Sequence, residues 1–155
     1  MTIIRTARFP DDMMAVVDIW REFVASPSVS LDHQNNEAEF ALLPGKYARP
    51  AGCVLLAERG GAIDGCIAFR RVTPAIAEMK RLYVRPRARG ERLGHRLVER
   101  LIEEARGAGY SEIRLDVLAE FTQAQKLYAE FGFVAADAVS YNPLPGTAFL
   151  GLTLD

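Results

Sequence analysis

The feature that most restricts the fold of this chain is a change of hydrophobic period between residues 76 and 118. AIAEMKRLYV (75–84) is a β-rich run, an apolar stripe at helical spacing follows it, and SEIRLDVLA (111–119) alternates apolar and polar side chains again. The stripe consists of Leu93, Leu97, Leu101, Ile102, Ala105 and Ala108. A strand, a helix and a second strand in this order predict a crossover connection within one sheet.

Segments on both sides of this crossover add further strands and helices. We predict strands at 2–8, 53–59, 62–70, 133–139 and 147–154, and helices at 11–26, 36–43 and 120–131. Gly60 and Gly61 lie between two of the strands, where they indicate a hairpin turn. This order predicts an α/β fold with a mixed sheet, in one domain that covers residues 1–155.

The composition is that of a soluble globular protein. Of its 155 residues 50% are hydrophobic and 25% are charged, and the formal net charge is -1. No apolar run exceeds five residues, and the first residues lack the apolar core of a secretory signal, so we expect a cytoplasmic protein with no membrane partner. Cys53 and Cys66 lack the spacing of a disulfide framework or a metal site, and we interpret both as small buried hydrophobic residues.

The positive charge is concentrated in one segment. Residues 80–100 carry eight basic side chains against two acidic ones, a local net charge of +6, and the other 134 residues carry a net charge of -7. Such an asymmetry indicates a polyanionic ligand, either a nucleic acid or a phosphorylated cofactor. A solvated helix face is the alternative interpretation.

A glycine-punctuated turn lies inside this basic segment, between the strand that ends at Val84 and the helix that begins at Leu93. Such a turn directs several free backbone N–H groups toward one point, and the helix dipole adds positive potential there. The turn is neither a Walker loop nor a dinucleotide fingerprint, because only Gly90 and Gly94 are present and no GK[ST] follows. We predict an anion pocket, with a helix N-terminus decorated by surface arginines as the alternative.

EMKRLYVRPRARGERLGHRLVERLIEEA (78–105) and QKLYAEFGF (125–133) resemble the GCN5-related N-acetyltransferase (GNAT) superfamily, in particular its bacterial small-molecule members. The resemblance implies an acetyl-CoA-dependent N-acetyltransferase. It also implies a mixed, mostly antiparallel sheet that splays between the strands at 76–84 and 112–118 and is flanked by about four helices.

The resemblance assigns the coenzyme to the turn and to the strand before it. The family's loop pattern falls on Arg89, Gly90, Glu91, Arg92, Leu93 and Gly94, followed by His95, and the backbone amides of this loop would hold the pyrophosphate. The exposed main chain of Leu82, Tyr83 and Val84 would pair with pantetheine, and one of its N–H groups would polarise the thioester carbonyl.

Two positions depart from the family pattern. Arg92 stands where the family usually has a glycine, so we expect the backbone there to accept a negative φ. Phe121 stands where many members have an asparagine that contacts pantetheine, and that contact is not carried over.

Two side chains are predicted to be catalytic. By resemblance, Tyr128 protonates the departing thiolate, and a phenol with a pKa near 10 carries its proton at neutral pH. The acceptor amine must lose a proton before it attacks, and Glu78 is the expected general base, with His33 as the runner-up. The alternatives are a core aromatic for Tyr128 and an ion pair with Lys80 or Arg81 for Glu78.

The acceptor is expected to be the amine of a small molecule, an amino acid or a peptide, which attacks the thioester directly in a ternary complex. Gln34, Arg81 and Tyr141 are the expected acceptor contacts, with Asn35, Tyr83 and Asn142 as further candidates. We expect no metal and no nucleic-acid partner, and a homodimer is compatible with the resemblance. A non-catalytic acyl-CoA sensor and a nucleic-acid-binding module are the alternative functions.

Overall fold

The computed structural model describes residues 1–31 and 35–155. Within this part of the chain the strands are β1 (Ile3–Thr6), β2 (Cys53–Arg59), β3 (Ala62–Arg71), β4 (Ile76–Val84), β5 (Glu112–Val117), β6 (Val134–Ala135) and β7 (Ala148–Thr153). The α-helices are α1 (Met13–Ala25), α2 (Asn36–Ala41), α3 (Leu93–Gly107) and α4 (Thr122–Glu130). No helix of the described residues is both long and apolar enough to cross a membrane.

The strands form one mixed sheet in the order β1-β2-β3-β4-β5-β7-β6. All neighbouring pairs are antiparallel except β4 and β5, which are parallel and are joined by α3. The predicted α/β fold and its crossover are therefore confirmed. The hairpin between β2 and β3 is also confirmed, because Gly60 and Gly61 both adopt positive φ.

The last hairpin differs from the prediction, because β6 covers only two of the residues 133–139. Val134 and Ala135 pair with β7 at the sheet edge, and the chain then leaves the sheet. The Asp137 carbonyl oxygen accepts a hydrogen bond from Arg114, and the Ser140 hydroxyl reaches Glu78 on β4. Contacts between distant parts of the chain thus end the strand early.

Both faces of the sheet are covered, as the strands in its centre show. Along β2, Cys53, Leu55 and Ala57 belong to the core on the α3 face, whereas Val54 and Leu56 belong to the core beneath α1 and α2. Successive strand residues point to opposite faces, so a strand covered on both sides is apolar throughout instead of alternating. β4 lies between these two cores, since Met79 belongs to the first and Tyr83 packs against the second.

Candidate active site

A cleft opens where β4 and β5 diverge. The two strands pair only at Ile76–Glu112, Ala77–Ile113 and Glu78–Arg114, and both continue beyond these pairs. The predicted splay is therefore confirmed. The cavity between the strands has a volume of about 50 Å³. Its lining is formed by Phe23, Leu31, Met79, Lys80, Arg81, Leu82, Asp116, Val117, Leu118, Phe121, Ala124, Tyr128 and Asn142.

A bulge in β4 lies at the edge of this cleft. Cys66 of β3 pairs with Tyr83 and Ala68 pairs with Lys80, so Arg81 and Leu82 together face the single residue between them. Arg81 adopts a left-handed backbone conformation with φ 60°, and the Cys66 thiol donates a hydrogen bond to its carbonyl oxygen at 3.2 Å. The bulge interrupts the regular ladder of β4 just where the strand faces the cleft.

The side chain of Arg81 is bound inside the protein, where the sequence led us to expect an acceptor contact. Its guanidinium donates hydrogen bonds to Glu39 at 2.6 Å and to Asn36 at 2.9 Å, and it stacks 4.4 Å from the centre of the Trp20 ring. Only 3% of Arg81 is exposed. Its charge ties α2 to β4 and is not available to a ligand, because the carboxylate of Glu39 already neutralises it.

The turn before α3 offers a run of free donors. Among the described residues, the backbone N–H groups of residues 90–95 have no protein acceptor. They lie at the positive end of a 15-residue helix, which favours an anion. A pyrophosphate fits such a cradle chemically, and Gly90, Glu91, Arg92, Leu93, Gly94 and His95 would present their N–H groups to it. The Arg89 N–H instead donates to the Pro86 carbonyl oxygen.

Arg92 overturns one expectation. Its φ is +57°, in the left-handed region, whereas we expected a negative φ for a non-glycine residue here. Gly90 also has a positive φ, of 90°. Left-handed and right-handed residues in succession turn their N–H groups toward a common point, so the turn keeps a glycine-like backbone although Arg92 carries a side chain.

Internal ion pairs account for half of the basic segment. Arg81 pairs with Glu39, Arg85 with Glu22, Arg87 with Asp64 and Arg100 with Glu104. Arg89 and Arg92 lie at the turn itself and form no ion pair with any described residue. Of the segment's four cations that form no ion pair with a described residue, Arg89 and Arg92 therefore lie beside the free N–H groups.

Glu78 lies behind the cleft and is 1% exposed. One carboxylate oxygen accepts a hydrogen bond from Arg70 Nε at 2.9 Å and lies 2.7 Å from Arg70 Nη2 in an ion pair, and the other accepts from the Ser140 hydroxyl at 2.7 Å. The alternative ion pair with Lys80 or Arg81 is therefore wrong. Arg70 faces Glu78 across β3 and β4, a partnership that is visible only once the strand register is known.

Tyr128 is buried and lines the cleft. Its ring packs 5.6 Å from that of Phe133, and among the described residues no hydrogen-bond partner meets its hydroxyl. Burial raises the pKa of Tyr128, and the nearby charge of Asp116 raises it further. The phenol therefore keeps its proton at neutral pH while facing the cleft.

The remaining predicted residues are distributed around the cleft. Leu82 lines it, and Val84 packs beside it on the α3 face. Tyr83 packs against Phe23 on the other face, and Tyr141 is exposed. Gln34 and His33 lie outside the described residues.

Sequence reasoning assigned only four of the thirteen lining residues to the site, namely Arg81, Leu82, Tyr128 and Asn142. Among the other nine, Phe23 and Asp116 were not singled out, Lys80 was considered only as an ion-pair partner of Glu78, and Phe121 was noted only as a departure from the family. The Asn142 amide, a further acceptor candidate, donates to the Asp116 carboxylate at 2.9 Å. Position along a splayed strand would have indicated Lys80 and Asp116, since both lie two residues beyond the last paired positions.

The cysteines do not contribute a nucleophile. Both are buried and free, as predicted. Burial raises the pKa of Cys53 to about 11 and that of Cys66 to about 12, so neither thiol ionises near neutral pH. Among the described residues no group of three or more His, Cys, Asp or Glu side chains is arranged to hold a metal ion.

Comparisons with known proteins agree with this arrangement. The sequence model of the acetyltransferase (GNAT) family matches residues 16–133. The chain is 35% identical to an uncharacterized N-acetyltransferase of Schizosaccharomyces pombe over 154 residues, which cover 97% of this chain and 94% of that protein.

Solved structures show the same fold. An acetyltransferase of Streptococcus agalactiae matches with a TM-score of 0.81 and 20% identity, over 99% of this chain and 98% of that one. A Salmonella typhimurium protein described as an acetyltransferase, solved with its cofactor acetyl-CoA, matches with a TM-score of 0.73 and 24% identity, over 100% of this chain and 95% of that one.

Proposed function

Because this chain belongs to the GNAT family of acetyltransferases, we propose that it acetylates the amine of a small molecule, an amino acid or a peptide with acetyl-CoA. Acetyl-CoA supplies an activated acetyl thioester when it is bound. The observation that carries the proposal is the run of free N–H groups at 90–95, directly after the strand that borders the cleft. Its donors suit a diphosphate, and Tyr128 lines the cleft that β4 borders.

Binding uses the main chain more than side chains. The N–H groups of the turn hold the diphosphate, and the unpaired edge of β4 after Glu78 offers hydrogen-bonding groups to an extended amide chain. Arg89 and Arg92 add positive charge beside the turn. Phe121 narrows the cleft where it packs 6.2 Å from Phe23.

Tyr128 is proposed as the general acid. It holds a proton on its hydroxyl oxygen at the cleft wall, where a leaving thiolate can receive it. A thiolate whose thiol has a pKa near 8.5 is a better leaving group than an alkoxide, so one well-placed proton donor is sufficient.

Glu78 is proposed as the general base, acting through Ser140. One oxygen of its carboxylate is bound by Arg70, and the other accepts a hydrogen bond from the Ser140 hydroxyl. A proton from the acceptor ammonium passes to the Ser140 oxygen as that hydroxyl gives its own proton to Glu78. The acceptor then attacks directly and no covalent enzyme intermediate forms, in line with the protonated cysteines.

The test is to incubate the protein with acetyl-CoA and a panel of amines, amino acids and peptides while free thiol is followed. We expect thiol release that depends on the acceptor and yields the acetylated amine. Tight binding of acetyl-CoA without release for any acceptor would favour the acyl-CoA sensor. A preference for oligonucleotides that persists with acetyl-CoA bound would favour the nucleic-acid module. The cytoplasmic location and the homodimer stay predictions.

A further inference from the structure

Lys80 places a positive charge in the cleft without a close partner among the described residues. Its side chain lines the cavity and is mostly buried. Among the described residues, no carboxylate lies within 4 Å of its ammonium nitrogen and no acceptor forms a hydrogen bond with it. The other cations of this part of the sheet are paired, because Arg70 binds Glu78 and Arg81 binds Glu39.

An ammonium group in this position is costly. Burial lowers the pKa of Lys80, although the charges of Glu78, Glu39 and Asp116 partly restore it. A partly desolvated charge without a close partner gains more from an arriving anion than a solvated one, because water no longer screens it. The cleft is therefore prepared for a negatively charged ligand group at Lys80.

That group is not supplied by the diphosphate cradle. Lys80 precedes the β4 bulge, whereas the free N–H groups of 90–95 follow the end of β4. Lys80 and Glu78 are alternate residues of one strand, so they point to the same face of the sheet, where the proposed base is located. The anion that meets Lys80 therefore belongs to the acceptor.

The other residues that line the cleft narrow the chemical class of the acceptor. Asp116, fixed by Asn142, is the one carboxylate among the lining residues of the described chain, and Lys80 is the one ammonium. Apolar side chains surround them, among them Phe23, Leu31 and Phe121. One positive group, one negative group and an apolar wall are complementary to a zwitterion with an apolar body.

We propose that the acceptor is a small apolar amino acid whose carboxylate binds Lys80. This inference rests on the proposed function, since it names the substrate class of the same site. Asp116 attracts the acceptor ammonium, and Lys80 fixes the opposite end of the molecule. The salt bridge to Lys80 orients the amine toward the acetyl group and selects acids over uncharged analogues.

The test compares matched acceptors on matched variants. Leucine, methionine and phenylalanine are each compared with their carboxamides, which keep the amine and the side chain and lose the negative charge. Lys80→Met keeps the length of the side chain and removes its charge, and Lys126→Met makes the same change at an exposed position of α4. The ratio of kcat/KM for acid to amide is measured for each protein, so differences in amine basicity cancel between variants.

We expect Lys80→Met to lower the acid-to-amide ratio by about 10- to 100-fold, the contribution of a charge-assisted hydrogen bond. Lys80→Met should lose more activity on the acids than on the amides, and Lys126→Met, at an exposed position, should match the wild type on both. An unchanged ratio in Lys80→Met would overturn the inference while the acetyltransferase activity itself stands. Thermal unfolding checks that Lys80→Met is folded, and we expect no loss of stability because a buried charge is removed.

Product binding keeps the inference testable if turnover fails. Calorimetry with N-acetylleucine and N-acetylleucinamide measures the same carboxylate contact without chemistry. Tighter binding of the acid in the wild type, lost in Lys80→Met, supports the inference. Equal binding of both compounds would contradict it, whereas absence of thiol release with every amine would contradict the proposed function instead.

Discussion

The two proposed catalytic residues, Tyr128 and Glu78, lie in different surroundings, which suit one to donate a proton and the other to accept one. Tyr128 faces the cleft from an apolar wall that holds its proton in place, whereas Glu78 lies behind the cleft with both carboxylate oxygens bound. An acid needs access to the leaving group, and a base reached through a hydroxyl does not need to touch the acceptor. The role of each residue can therefore be tested with a substitution that removes one proton donor or one proton acceptor.

Tyr128→Phe keeps the ring that packs on Phe133 and removes only the hydroxyl. We expect kcat to fall by about 10- to 1,000-fold with little change in acetyl-CoA affinity, because acid catalysis contributes on this order. Steady-state kinetics and calorimetry measure the two effects. Tyr110→Phe is the matched control: it removes a hydrogen bond to the Ala51 carbonyl and should lower stability without lowering kcat. A wild-type kcat in Tyr128→Phe would exclude the phenol as the acid.

Ser140→Ala and Glu78→Gln should give pH profiles of the same form. Both variants interrupt proton removal from the acceptor ammonium, so their defects should shrink as the pH rises toward the pKa of the amine, near 10.4 for an alkylamine. Ser140→Ala leaves the ion pair of Arg70 with Glu78 intact. A loss of activity in this variant can therefore be assigned to proton transfer and not to loss of that ion pair. The Tyr128→Phe defect should show no such recovery. Defects that are independent of pH would argue against the Ser140–Glu78 path.

Among the elements, the proposed function depends most on how α3 begins. The turn from Arg89 to Gly94 leaves donors free because its residues alternate between backbone conformations that no regular helix or strand allows. The two glycines contribute differently. Gly90 supplies a positive φ in open space, whereas Gly94 lies within the first turn of α3, close to Val84 and Leu127.

Gly94→Ala should weaken the binding of coenzyme A without unfolding the protein. A Cβ on Gly94 would lie 3.5 Å from a Leu127 methyl, an ordinary contact, so the fold accepts it and α3 gains helix propensity. The added methyl would stand between the turn and a closely approaching diphosphate, and we expect about 10-fold or greater loss of affinity in calorimetry. Pantetheine, which lacks the diphosphate, is the ligand control. Equal losses for both ligands would contradict a diphosphate cradle at the turn.

Arg92→Gly is the variant control for the same turn. It removes a side chain from a left-handed backbone, and we expect a gain of about 0.5–1 kcal/mol in the free energy of unfolding. Coenzyme A affinity should change only by the contribution of the Arg92 charge. A loss of stability would mean that the side chain stabilises the turn by more than the strain costs.

Across the whole molecule, a largely buried ion pair joins β4 to α2. Arg81 on β4 meets Glu39 on α2, and the two are far apart in the sequence. Burial alone would raise the pKa of Glu39, but the charge of Arg81 and hydrogen bonds from Lys46 and Arg81 lower it to about 2. A carboxyl group with a depressed pKa stabilises the fold above its usual pKa of about 4.5 and loses this contribution as the pH falls toward 2.

Glu39→Gln should therefore destabilise the protein at pH 7 and much less at pH 2. We expect a loss of about 3 kcal/mol at neutral pH, the order found when a buried pair loses one partner. Urea unfolding at a series of pH values measures it. Glu37→Gln on the same helix breaks only the exposed pair with Arg21, so it should cost less than about 1 kcal/mol. Similar losses for both variants would contradict a structural role specific to Glu39.

The order of elements, the crossover at 76–118 and the position of the glycine-containing turn before α3 could all be predicted from the sequence. These features depend on local periodicity, on glycines and on a dense run of charge, all of which are readable along the chain. The family resemblance added Tyr128, which lines the cleft and whose role as the acid stays a prediction.

Which charges are paired and which are free could be seen only in the folded structure. Arg81 and Lys80 are neighbours in sequence, yet one is neutralised by Glu39 and the other faces the cleft without a close counterion among the described residues. The partner of Glu78 is Arg70, because the antiparallel register of β3 and β4 sets them opposite each other. Ion pairing depends on distances of a few ångströms between segments far apart in the chain, and periodicity carries no information about such distances.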